Sequence, residues 1–139
     1  MTELLERRHA VDNAVTAVVV LGIEAVHGSL TISDFQVAVQ RLERAIRPWD
    51  TVVDVAPRTV GVICHSLSSL REVDAIAARL AEVVRAPMAV GEDVRQVGAC
   101  VGSAAVADGE GTEAALARAR DAMRRMREAR RSLVVPPPR

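Results

Sequence analysis

The chain has 139 residues, half of them apolar, and its 18 basic side chains offset 18 acidic ones to a formal charge of zero. A chain of this length makes one domain with a real core, its apolar content excludes a disordered tail or a peptide hormone, and zero net charge excludes a globally basic nucleic-acid binder or a membrane-adsorbed protein. Every basic residue is arginine, a bias of coding more than of physics, and the aromatic residues are Phe35 and Trp49 alone, which leaves single-stranded nucleic acid little to stack on.

The opening "MTELLERRHA" has acids in its first turn and no apolar run of the signal-peptide kind. The longest apolar stretch, Ala14–Ile23, contains Thr16 and is too short to span a bilayer, so a soluble, cytoplasmic domain is expected. "AVTAVVVLGI" reads as a central strand covered on both faces. "SDFQVAVQRLERAI" follows with Phe35, Val39, Leu42 and Ile46 at helical spacing; Ser33 is placed to cap it and Pro48 to stop it. "TVVDV" and "VGVIC" are two strands joined by "APRT" as a short hairpin.

Ser69 and Glu72 have capping-box spacing and open a second helix, with Val73, Ile76, Leu80 and Val83 on its apolar face and its end before Pro87. A second hairpin turns at Gly91-Glu92-Asp93, and Gly98 and Gly102 in its long return strand signal a bulge or a close backbone approach. Thr112 is expected to cap a third helix with Leu116, Ala119, Met123 and Met126 on one face, and "SLVV" reads as a last strand before the prolines. The order is β-α-β-β-α-β-β-α, which predicts an α+β fold of ferredoxin-like or nucleotide-cyclase type, a mostly antiparallel sheet with helices packed on it. One domain is expected over residues 1–135, with a proline-rich tail at 136–139.

Cys64 and Cys100 lie in apolar runs without CxxC spacing and read as core residues. His9, His27 and His65 have no second ligand at i+3 or i+4, and Cys64 beside His65 points to the opposite face of a strand. No metal and no cofactor is expected.

In this order, the residues resemble the GGDEF domains of diguanylate cyclases. "TELLERRHA" keeps Thr2, Leu4, Arg7 and Arg8 of an opening pattern like LTGLxNRR. Arg47-Pro48-Trp49-Asp50 matches the family's RxxD, followed by five residues and then "APRTV" in place of the GGDEF hairpin. Ala77-Ala78-Arg79-Leu80, "ACVGSA" (99–104) and "ARDAMRRMR" (119–127) are similar to later family segments.

The departures bear on function. The resemblance implies a DxD at the end of the first strand, where a carboxylate and a backbone carbonyl bind divalent metal; this chain has Gly22 and Glu24 there, so the first metal carboxylate is absent. The glycines and acid of the signature hairpin are replaced by Ala56, Pro57, Arg58, Thr59 and Val60. Pro57 removes an N–H, and Arg58 puts a cation where a metal needs a carboxylate. The guanine-reading segment is shortened to "VHGSLTISD", and the tyrosine and phosphate-binding lysine of the last helix are represented by Arg124 and Arg127. Phosphoryl transfer relies on positioning and metal electrostatics, so no enzyme activity and no catalytic residue is expected.

The resemblance assigns RxxD to a product-binding inhibitory site, which makes Arg47, Asp50 and Arg79 the candidate ligand site for cyclic di-GMP. Arginine can fork onto guanine O6 and N7, while the aspartate accepts from N1–H and the amino group. The same residues also fit ordinary structural roles: an arginine at a helix C-terminus, turn chemistry at Asp50 and an exposed helix arginine. Asp54, where the family has a basic residue, disfavours phosphates. The competing expectation is a protein-interaction or dimerisation module that docks through the arginine-rich last helix (Arg118, Arg120, Arg124, Arg125, Arg127, Arg130 and Arg131), a run that is ordinarily a solvated face.

Overall fold

A computed structural model of the chain describes residues 15–133. The opening match at Thr2, Leu4, Arg7 and Arg8, together with His9 and the tail at 136–139, lies outside the described residues. β1 (Val15–Ala25) is the spine: Ala17 through Leu21 and Ile23 are buried. It shows no apolar–polar alternation because both of its faces are covered. Ala17, Val19, Leu21 and Ile23 join one core with Ala38, Leu42, Val73, Leu80 and Val84, while Val18 and Val20 join another with Ala115, Ala119 and Met123.

These two cores define three layers. α1 (Ile32–Ala45) and α2 (Leu70–Arg85) cover one face of the sheet, and α3 (Thr112–Leu133) covers the other. The sheet contains β2 (Thr51–Ala56), β3 (Thr59–Leu67), β1 and β6 (Val97–Ala105) in the order β2-β3-β1-β6, with every pair antiparallel. β4 (Met88–Val90) and β5 (Asp93–Arg95) form a separate two-stranded ribbon. The architecture is the expected α+β one of nucleotide-cyclase type.

Local details differ from the sequence reading. Thr31, not Ser33, caps α1: its hydroxyl accepts from Asp34 N at 3.0 Å, and its own N–H donates to Asp34 Oδ2 at 3.2 Å. This reciprocal box satisfies two otherwise orphaned groups, which Ser33, already inside the helix, cannot do. Ser69 occupies the N-cap of α2 without a side-chain bond, and Glu72 instead accepts from Ser68 N at 2.5 Å. Val84 rather than Val83 is the buried residue near that helix's end.

The return strand after Gly91 breaks at Gln96, so that β5 stays with β4 while β6 joins β1. Arg95 lies just before the break. It grips the buried Asp34 carboxylate at 2.8 and 2.6 Å and ties the ribbon to the start of α1 instead of the sheet. Thr112 is the first helical residue of α3 rather than its cap, and Ser132 and Leu133 continue that helix rather than begin a strand.

Candidate functional site

The loop between α1 and β2 closes tightly, with Asp50 N donating to the Arg47 carbonyl at 3.0 Å. Arg47 then folds back over the turn and holds the Asp50 carboxylate as a fork, Nε to Oδ2 at 2.9 Å and Nη2 to Oδ1 at 2.9 Å. Arg47 Nη2 also donates to the His65 carbonyl at 2.7 Å, and His65 N donates to Asp50 Oδ1 at 3.2 Å. The pair fastens this loop to β3. The Asp50 side chain is only 3% exposed and that of Arg47 26%. The hydrogen bond from the guanidinium to Asp50 raises the Arg47 pKa above its ordinary value. The exposed Trp49 ring lies 5.3 Å from the same guanidinium, within cation–π range.

Arg79, on the outer side of α2, reaches the C-terminus of α1 and donates to the Ala45 carbonyl at 3.2 Å, where a cation complements the helix dipole. Cys64 responds to all three candidate residues. Burial pushes its thiol up to about 11, the Asp50 carboxylate adds to the rise, and Arg47 and Arg79 oppose it. The structure therefore gathers Arg47, Asp50 and Arg79 at one corner. It also engages the first two with each other, so a ligand must open their fork to use both. Trp49 went unassigned in the sequence reading, although its place inside "RPWD" is a sufficient signal.

A second corner forms where the β2–β3 hairpin meets the end of β1. Its turn needs only Pro57 and Arg58, since Ala56 already pairs with Thr59. Arg58 adopts a left-handed φ of 58°, and its carbonyl accepts from Ile23 N at 2.8 Å. Thr59 Oγ1 donates to the Pro57 carbonyl at 3.1 Å, and Thr59 and Val60 are buried beneath the turn.

Beside this turn is an open polar cleft of about 320 Å³, lined by Glu24, Pro57, Arg58, Thr59 and Arg127 among others. Arg127 Nε lies 2.5 Å from Glu24 Oε1, an ion-pair contact without hydrogen-bond alignment. A Cβ on Gly22 would fall on Arg127 Nη2 and lie 2.7 Å from Met123 Sδ. These residues do not fit the divalent metal that the resemblance implies: its first carboxylate position is a glycine whose Cβ space holds the ends of the Arg127 and Met123 side chains, and Glu24 is paired with an arginine. Among the described residues, no group of three His, Cys, Asp or Glu could hold a metal. The Glu24–Arg127 pair spans most of the chain and has no local signal in the sequence.

The last helix is not the uniform solvated face that its composition predicts. Arg118 pairs with Glu110 and donates to the Ala105 carbonyl at 2.6 Å, and Arg130 donates to the Ala99 carbonyl at 3.1 Å. Both reach carbonyls of β6, an edge strand, and the Ala99 carbonyl also accepts from Arg85 Nη2 at 2.6 Å. Arg124 and Arg125 are exposed, and Arg120 is half-buried. No helix among the described residues is long and apolar enough to cross a membrane.

No family sequence model and no curated protein sequence matches the chain. Solved structures do. A sensory box/GGDEF family protein from Caulobacter crescentus superposes with a TM-score of 0.73 at 24% identity, over 91% of this chain and 86% of that one. An EAL/GGDEF domain protein from M. capsulatus gives 0.71 at 20% identity, over 85% and 81%. The GGDEF domain of YfiN (TpbB) from Pseudomonas aeruginosa gives 0.70 at 17% identity, over 91% and 78%. With its four-stranded antiparallel sheet between α1/α2 and α3, the chain has the GGDEF-domain fold.

Proposed function

We propose that the chain is a non-catalytic GGDEF-type signalling module that binds cyclic di-GMP at the Arg47, Asp50 and Arg79 corner. The observation that carries this reading is convergence: Arg79 reaches the carbonyl of Ala45, two positions before Arg47, so both arginines meet at one corner beside exposed Trp49, with the Asp50 carboxylate just beneath the Arg47 fork. A guanine takes the Arg47 fork on O6 and N7 and donates from N1–H and its amino group to Asp50. Asp50 keeps the His65 N–H throughout. Arg79 is left for a phosphate, and the Trp49 ring offers a stacking surface. Because the Arg47–Asp50 fork must open, binding replaces one charge-assisted pair with another, and the phosphate contacts supply the gain. The non-catalytic half of the reading is supported by the Pro57-Arg58 turn and by the Glu24–Arg127 pair in the cleft.

Calorimetric titration with cyclic di-GMP tests the receptor half. Saturable micromolar binding is expected, and Arg79→Ala should weaken it at least tenfold without disturbing the fold, since among the described residues Arg79 makes a single, exposed hydrogen bond. A folded wild-type sample that gives no heat sinks the receptor reading.

A protein-docking module is the second reading, favoured by one observation. Val26, Ile32 and Val94 are 47%, 78% and 74% exposed, Val26 and Val94 line one groove, and the Asp34–Arg95 pair brings the start of α1 beside it. A silent titration combined with self-association by light scattering favours that reading.

A further inference from the structure

We infer that the Arg127 guanidinium is the resident cation of the hairpin cleft, and that it excludes divalent metal from Glu24. The inference rests on the non-catalytic half of the proposed function and is independent of nucleotide binding at Arg47.

The packing explains how the arginine comes to be there. Met123 anchors α3 in the core beneath Val18 and Val20, and Arg127 follows one turn later on the same face. Its side chain passes over β1 at Gly22, the position where a Cβ would collide with it, and ends on Glu24. Gly22 and Arg127 are therefore a matched pair: the strand gives up a side chain and the helix fills its volume with a cation. Residues 22 and 24 point to one side of the strand, so the guanidinium lies across the place where two carboxylates would otherwise share a metal. A dication arriving at Glu24 must displace Arg127 from its only acidic partner in the described structure, and it then faces both Arg127 and the nearby Arg58.

The probe is Mn²⁺ alone, added to the full chain and followed by calorimetry and thermal shift. The wild type should give no saturable heat and no change in Tm at millimolar Mn²⁺. The double variant Gly22→Asp/Arg127→Ala restores a second carboxylate and removes the cation; it should bind Mn²⁺ at least tenfold more tightly than the wild type and gain Tm with the metal. Wild-type binding that Glu24→Gln abolishes overturns the inference, and so does a folded double variant that ignores Mn²⁺.

Should the double variant not fold, Gly22→Ala supplies the second measurement. It should lower Tm modestly in the wild type, by pushing the ends of Arg127 and Met123 aside, and by clearly less in an Arg127→Ala background. Equal losses in the two backgrounds overturn the inference. Turnover of GTP with magnesium is scored separately: cyclic di-GMP formed by the wild type sinks the non-catalytic reading, whereas the Mn²⁺ and Tm data decide the role of Arg127 even where turnover is absent.

Discussion

Asp34 and Asp50 are both carboxylates closed by an arginine fork; Arg95 reaches Asp34 from far along the chain, whereas Arg47 is a near neighbour of Asp50 and the His65 N–H ties that pair to β3. Asp34 is held by Arg95, whose hydrogen bonds lower its pKa from 3.8 to about 2 against the cost of its burial, with Thr31 helping. A carboxylate depressed in the folded state stabilises the fold above its unfolded pKa, and that contribution disappears as pH falls through the folded value. Tm should therefore drop between about pH 4 and pH 2 through this pair. Asp34→Asn should lower Tm at neutral pH and flatten the drop, as a thermal melt series across that window will show. Asp50 behaves differently on mutation. Arg47→Ala leaves it nearly enclosed with only the His65 N–H as a full-strength partner, at a cost of about 3 kcal/mol. Chemical denaturation should register that loss, which makes Arg79→Ala the cleaner binding probe.

β6 crosses α3 at close range. A Cβ on Gly102 would run into the backbone of α3 at Ala119 O and Met123 N and lie 2.9 Å from Ala122 C. Backbone atoms in the middle of a helix cannot step aside as a flexible side chain can. Gly102→Ala should therefore cost about 2–3 kcal/mol, read as a lower urea midpoint with an unchanged slope. The sequence marked Gly102 as a bulge or a close approach, and the unbroken β1–β6 register selects the second. Gly98 was marked in the same way, yet nothing lies closer than 3.9 Å to its Cβ position. Two glycines four residues apart cannot be distinguished until the partner helix is in place.

Across the whole molecule, the β1-α1-β2-β3-α2 order brings the RxxD turn and α2 to the same corner, while the hairpin tip and the C-terminal half of α3 meet at the end of β1. A receptor for cyclic di-GMP is stabilised by mass action. Ligand at a hundredfold over Kd adds about 2.7 kcal/mol, or about 10 °C in Tm for a domain of this size. A thermal melt with and without ligand checks this on the intact chain, and a folded sample with no shift counts against the receptor reading.

Periodicity and punctuation determined much of this protein on their own. The β-branched run at Ala14–Ile23, the helical spacing around Leu42 and Leu80, and the breaks at Pro48, Pro87 and Gly91 make the elements and their order legible, because those signals act within a few residues. Also local are the RxxD spacing and the altered hairpin at Ala56–Val60. Tertiary structure alone decided which distant groups are engaged: Arg127 with Glu24 over Gly22, and Arg95 with Asp34, which ties the β4–β5 ribbon to α1. These are pairings between charged side chains more than sixty residues apart, fixed by which element covers which face of the sheet, and no local pattern encodes them.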